Sequence, residues 1–219
     1  MTILAPSMLS ADFKELGKEI RVIEENGAKY LHFDVMDGIF VPSISFGMPV
    51  LKSIRSGTDL VCDVHLMITE PIRYVEDFAK AGADLITIHL EACEDVDATI
   101  DKIKACGCKV GISIKPNTPV SALQPYLDQV DMILIMSVEP GFGGQKFIPS
   151  SLEKISETRA MIDASGLNID IQVDGGIYTH NVEEVLKAGA NIIVAGSAVF
   201  NGDTKQNTID MMEILKKYE

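Results

Sequence analysis

One joint occurs four times and restricts the fold more than any other feature: "ENGAKYLHFD" (25–34), "KAGADLITIH" (80–89), "KACGCKVGIS" (104–113) and "KAGANIIVAG" (187–196). Each reads as a helix end, a glycine just beyond it, a short polar link and an apolar strand. Glycine suits the position after a helix because it accepts the left-handed backbone that closes the last turn. Four such joints mean helix followed by strand, repeatedly.

The remaining apolar runs complete eight predicted strands at 3–6, 30–35, 60–65, 85–89, 109–114, 132–136, 169–173 and 192–195, with a helical pattern after each. "FKELGKEIRVIEEN" carries apolar residues at 13, 16, 20 and 23, the helical period. "TEPIRYVEDFAKAG" opens with Thr69 as a cap and Pro71 in the first turn. Ser150 stands three residues before Glu153, the spacing of a capping box. Eight β–α units in 219 residues, with no linker or low-complexity tract, predict a single-domain (β/α)8 barrel spanning residues 1–219. A doubly wound sheet is the alternative that the pattern leaves open.

Composition sets the boundaries. Hydrophobic residues make up 47% of the chain, enough for a large core, and the formal charge of −13 argues against nucleic acid or an anionic membrane as partner. The four cysteines (62, 93, 106 and 108) contain no C-x-x-C pair and read as reduced thiols. "MTILAPSML" has no secretory pattern, and no apolar run approaches the ~20 residues that span a bilayer. A cytoplasmic protein is expected.

In such barrels reactive groups sit at the carboxyl ends of the strands. Those ends carry Ser10, His32 with Asp34, His65, His89, Lys115, the loop "SVEPGFGGQ" (137–145), Asp174 and the pair Gly196–Ser197. In "LHFDVMDG" (31–38), alternation puts His32 and Asp34 on one strand face and Leu31, Phe33 and Val35 on the other. A buried carboxylate needs compensation. His32, Asp34, His65 and Asp174 together suit one divalent ion of the Zn, Fe(II), Mn or Co kind; a plain buried His–Asp hydrogen bond is the blander reading. Asp63 shares a face with His65 and is placed to orient an imidazole.

Gly141, Gly143 and Gly144 follow strand 6, Gly175 and Gly176 follow strand 7, and Gly196 and Ser197 follow strand 8, the usual phosphate position of this fold. The 139–147 loop is also placed to act as a lid. Met36, Met67 and Met136 end strands 2, 3 and 6, as core filler or as an apolar wall that dries the site. His89 and His180 are assigned to structure. Lys115 is a rim charge or a solvated side chain, and the only lysine placed for a Schiff base. No Rossmann glycines follow the first strand, which leaves hydride transfer unsupported.

A metal beside a phosphate site points to a small sugar phosphate. Strands 2 and 7 lie three steps apart around an eight-stranded ring, roughly 135°, so Asp34 and Asp174 face a substrate from opposite sides. Taking a proton from one face of a carbon next to a carbonyl and returning one to the other inverts that carbon, with the metal as Lewis acid for the enediolate.

"APSMLSADF" (5–13), "LHFDVMDGIFVPSISFG" (31–47), "DVHLMI" (63–68), "MSVEPGFGGQKFIP" (136–149), "VDGGI" (173–177) and "VAGSAVF" (194–200) resemble the ribulose-phosphate 3-epimerase family over essentially the whole chain. The resemblance implies interconversion of D-ribulose 5-phosphate and D-xylulose 5-phosphate by two-base proton transfer at C3. It implies metal ligation by His32, Asp34, His65 and Asp174, with Asp34 as proton acceptor and Asp174 as donor. It further implies substrate contacts from Ser10, His65 and Asp174, phosphate held by Gly141, Phe142, Gly143, Gly144, Gly175, Gly176, Gly196 and Ser197, and a homo-oligomer. Allulose-6-phosphate 3-epimerase, another metal-dependent isomerase or aldolase, and a catalytically silent sugar-phosphate sensor are the competing readings.

Overall fold

A computed structural model describes residues 1–219. Eight parallel strands form one sheet: β1 Ile3–Pro6, β2 Tyr30–Met36, β3 Val61–Met67, β4 Leu85–His89, β5 Lys109–Ile114, β6 Met132–Met136, β7 Asp170–Asp174 and β8 Ile192–Ala195. Their order is β1-β8-β7-β6-β5-β4-β3-β2, and a parallel bridge between Ser7 and His32 joins the two end strands. The chain is therefore a single-domain (β/α)8 barrel, and the doubly wound alternative is excluded.

Helices α1 Leu16–Glu25, α2 Met48–Arg55, α3 Val75–Ala81, α4 Val96–Ala105, α5 Ser151–Ser165 and α6 Val182–Lys187 follow β1, β2, β3, β4, β6 and β7, and α7 Ser197–Phe200 and α8 Thr204–Leu215 both follow β8. The four joint glycines all take positive φ, as the sequence requires. At two of them close approach adds a second reason for glycine. A Cβ on Gly82 would lie 2.5 Å from Arg55 Cγ, and one on Gly189 2.7 Å from Arg159 Cβ.

Local details depart from expectation at four places. The segment after β5 is a 3-10 helix, Val120–Gln129, with Pro125 inside it; proline there removes a backbone donor and disfavours the α-helix. Thr69 does not cap α3. Its N–H donates to Asp37 Oδ2 at 2.8 Å, Pro71 begins a short 3-10 turn, and α3 starts only at Val75. Ser150 flanks α5 but is already helical (φ −65°, ψ −12°), so its hydroxyl makes no capping bond. Phe13 lies outside α1, 54% exposed, its ring edge-on to Phe46.

The two strand faces serve different cores. Outward residues such as Leu31, Phe33, Val35, Val64, Ile86 and Ile133 join the helices in one cluster of 50 buried residues. Inside the ring, Tyr30, Leu85, Met132, Ile192 and Val194 make a smaller apolar plug. One residue pair further along the strands the interior turns polar, with His32, Asp63, Thr87, Ser113 and Gln172 all buried. The side chains of the carboxyl rim stand on this polar layer.

Candidate active site

Strand alternation carries His32 and Asp34 of β2 and Asp63, His65 and Met67 of β3 into the barrel, with Asp34 level with His65 in the ladder. Asp174 arrives on β7, level with Met136 of β6 and Val194 of β8. One ligand atom each from His32, Asp34, His65 and Asp174 lies within 4.8 Å of the others. Asp34 Oδ1 stands 3.2 Å from His32 Nε2 and 3.1 Å from His65 Nδ1, and Asp174 Oδ2 lies 3.9 and 3.8 Å from the same two nitrogens.

Whether these residues fit a divalent ion is answered by one atom. His32 Nε2 is fully buried and has no hydrogen-bond partner, although it points at two carboxylates. A buried polar atom without a partner is costly, and two imidazoles with two carboxylates are a donor set for first-row divalent metals. The site fits such an ion.

The supports behind the imidazoles differ. Asp63 Oδ2 accepts from His32 Nδ1 at 2.7 Å and from Gln172 Nε2 at 2.5 Å, so the imidazole that Asp63 orients is that of His32. His65 Nε2 instead lies 2.9 Å from His89 Nε2. His89, expected to be purely structural, thus touches the cluster. Ser7, not singled out by sequence, donates from Oγ to Asp34 Oδ2 at 2.6 Å. Its position just past β1, in the same rim series as Ser10, was the available signal. His180 stacks on Tyr178 near a helix start and takes no part. Lys115 Nζ sits 4.0 Å over the Phe40 ring, held by a cation–π contact.

Electrostatics separate the two aspartates. Burial acts to raise the pKa of Asp34, but His32 and His65 outweigh it and hold this carboxyl far below the usual range. Asp174 is pushed up to about 6, first by burial and then by the charge of Asp34, with the two histidines opposing. Burial would lower His32, yet Asp34 and Asp63 raise it well above an ordinary imidazole. His89 is pushed down to about 4 by burial, against the pull of Glu91.

Above the cluster opens a cleft whose empty space, counted out into open solvent, is about 560 Å³. Asp34 and Asp174 form its floor, Met36, Met67 and Met136 contribute apolar wall, and Ser10, the 140–145 loop, Gly175, Gly176, Gly196 and Ser197 complete it. All the glycine segments singled out by sequence therefore meet around one opening. A Cβ on Gly176 would lie 2.3 Å from the backbone nitrogen of Phe147, so a side chain is excluded there, and one on Gly196 would lie 2.6 Å from Ser10 Oγ and push that hydroxyl aside. Ser10 Oγ and Ser197 Oγ stand 3.5 Å apart in the lining, and Phe142 is 59% exposed.

Comparison with known proteins places this geometry. Residues 3–200 match the family model described as the ribulose-phosphate 3 epimerase family. The ribulose-phosphate 3-epimerase of Bacillus subtilis is 49% identical over 210 residues, covering 95% of this chain and 97% of the relative. That of Synechocystis is 53% identical over 201 residues (91% and 87%). The chloroplastic ribulose-5-phosphate-3-epimerase of Arabidopsis thaliana is 46% identical over 217 residues (98% and 77%). Among solved structures, 3-keto-L-gulonate-6-phosphate decarboxylase from Vibrio cholerae superposes with a TM-score of 0.73 at 14% identity, covering 100% and 98% of the two chains. A 3-hexulose-6-phosphate synthase gives 0.72 at 18% (97% and 99%). At such identities these structures speak for the barrel alone.

Proposed function

The chain belongs to the ribulose-phosphate 3-epimerase family and is an isomerase, and we propose that it interconverts D-ribulose 5-phosphate and D-xylulose 5-phosphate by a two-base proton transfer at C3. The observation that carries this reading is the meeting of Asp34 and Asp174, from strands three steps apart on the ring, in surroundings that drive their proton affinities in opposite directions.

Asp34, ionised between two imidazoles, removes the C3 proton from one face of the ketose. Asp174, holding a proton, delivers it to the other face, and the two exchange roles in reverse. Acid and base groups do best when each starts in the protonation state its step needs. Ser7 fixes the Asp34 carboxylate by its hydrogen bond to Oδ2, leaving Oδ1 toward the cluster. His32, Asp34, His65 and Asp174 would hold one Zn, Fe(II), Mn or Co ion. Such an ion, when bound, supplies Lewis acidity that favours negative charge on the substrate's oxygens. Met36, Met67 and Met136 keep water from the reacting carbon. Gly141, Phe142, Gly143, Gly144, Gly175, Gly176, Gly196, Ser197 and Ser10 surround the phosphate, where side-chain-free backbone brings N–H groups close to the anion. Cytoplasmic location and self-association belong to the same reading. No helix is long and apolar enough to cross a membrane, and sedimentation in solution reads the oligomeric state.

The test is incubation with ribulose 5-phosphate in deuterated water, followed at each carbon by NMR. Deuterium at carbon 3 with xylulose 5-phosphate appearing is the expected result. Label at carbon 1 would instead mark an aldose–ketose isomerase, and faster turnover of allulose 6-phosphate would mark the hexulose enzyme.

A further inference from the structure

An imidazole that gives one nitrogen to a metal must carry its proton on the other, and the neighbour of that second nitrogen decides whether it does. For His32 the neighbour is Asp63, a carboxylate acceptor 2.7 Å from Nδ1, so the proton stays there and Nε2 keeps its lone pair. Behind His65 stands no carboxylate. Its Nε2 faces Nε2 of His89 at 2.9 Å, and an imidazole nitrogen can donate or accept.

Two neutral ring nitrogens at this distance share one proton. If His89 supplies it, His65 accepts through Nε2 and carries its own proton on Nδ1, the nitrogen that faces Asp34 and Asp174. His65 is then unable to ligate. If His65 supplies it, Nδ1 is free. Without a cation Nδ1 can donate to Asp34 Oδ1, 3.1 Å away; with one bound, the choice is made one residue further back. Glu91 Oε2 lies 3.4 Å from His89 Nδ1, and a carboxylate only accepts. His89 therefore protonates Nδ1, its Nε2 becomes the acceptor, and the shared proton belongs to His65.

Glu91 is itself fixed. Its Oε1 accepts from the Lys115 N–H at 2.8 Å and from the Thr118 hydroxyl. The Lys154 ammonium donates to the carbonyls of Lys115, Pro116 and Thr118 at 3.0, 2.9 and 2.5 Å, pinning the turn that supplies those donors. The Phe40 ring packs against His89 with centroids 5.0 Å apart.

We infer that Glu91 and His89 are positioning residues that set the tautomer of His65 by a two-step hydrogen-bond relay and so keep its Nδ1 free for the metal. The inference rests on the proposed ligand set above. It makes the two imidazoles of the site alike in purpose, one backed directly by a carboxylate and the other through an intervening ring.

The chain has only four histidines, so their ring nitrogens are separable in nitrogen-15 long-range correlation spectra. Work at about pH 8 keeps unpaired imidazoles neutral. In zinc-loaded protein, His65 should be protonated at Nε2 and His89 at Nδ1. Glu91→Gln preserves size and lets the amide oxygen keep the Lys115 N–H, but turns an NH2 toward His89 Nδ1. The His89 proton should then move to Nε2, and zinc affinity, read by competition with a fluorescent chelator, should fall ~10–100-fold, the usual effect of losing a partner behind a metal ligand. Adding His89→Gln to Glu91→Gln places an amide oxygen about where His89 Nε2 stood, and this double variant should regain most of the affinity. Melting of the metal-free proteins should differ little.

Zinc that leaves the His65 nitrogens of the wild type unmoved overturns the ligand set, and the relay with it. Zinc that moves them, while Glu91→Gln binds within about twofold of wild type or the double variant fails to recover, overturns the relay alone.

Discussion

The cleft has two unlike walls. On the β2–β3 side, His32 and His65 are fully buried, the Asp34 side chain is 5% exposed, and every one of these groups is tied to a second residue behind it. On the β6–β8 side, Asp174 is 17% exposed and its neighbours are the glycines at 175, 176 and 196. Charge is held in place where the wall is dense, and a molecule can enter where it is bare. The same contrast divides the two carboxyls: imidazoles outweigh burial at Asp34, whereas at Asp174 burial, joined by the charge of Asp34, outweighs them.

The most severe way to break the contrast is to remove the proton-carrying group of the open wall. Asp174→Asn keeps the shape and should cost at least ~10²–10⁴ in kcat, the scale of one general acid–base group, with melting of the metal-free protein little changed; turnover near wild type would remove Asp174 from the chemistry. On the dense wall, Asp63→Asn should weaken zinc binding by ~10–100-fold through His32, measurable by chelator competition, with a smaller effect on substrate KM at saturating metal.

The two walls can also be set against each other by pH. The folded protein holds protons on Asp174, whose pKa is raised to about 6, and on His32, raised well above its ordinary value. The His32 proton must leave when a cation binds, because a doubly protonated imidazole has no lone pair to give, while Asp174 keeps its proton for the reaction. Metal affinity therefore falls as pH drops below the raised His32 value, by up to about tenfold per pH unit. The melting gap between zinc-loaded and metal-free protein should widen as pH rises from about 5 to about 7, and calorimetry in buffers of different ionisation heat should detect the released proton. A gap that is flat across that range would contradict the proton assignment. The smallest effect is expected from outside both walls. Burial raises the thiols of Cys62 and Cys108, and that of Cys93 to about 11. Since thiolates are the reactive form, brief alkylation near pH 8 should leave turnover unchanged.

The strands were legible from sequence to within two residues at either end, because β-branched runs bounded by glycine joints leave little choice of register. The meeting of these side chains was legible too, since alternation along β2 puts His32 and Asp34 on one face and His65 ends the neighbouring strand. What the linear pattern hid was contact between strands. His89 reads as a lone histidine until β4 is set beside β3, where it stands just beyond Thr87, the partner of His65. Glu91 belongs to the turn that follows and acquires meaning only through its neighbours on the β5 loop. Thr69 misled for a related reason: Asp37, 32 positions earlier, takes its N–H, and a distant carboxylate is invisible to a capping rule that looks along the chain. The 3-10 segment at Val120–Gln129 was signalled by Pro125 but outweighed by its apolar spacing.

The bridge between Ser7 and His32 that joins β1 to β2 has an implication for synthesis. β1 is made near the start of translation, yet its ladder partner β8 emerges only after residue 190, and Thr2 waits for the carbonyl of Leu215. Until then β1 has only its β2 side, where Ser7 meets His32 and Asp34. A nascent chain that stops short of β8 thus lacks Gly196 and Ser197, and with them one side of the cleft.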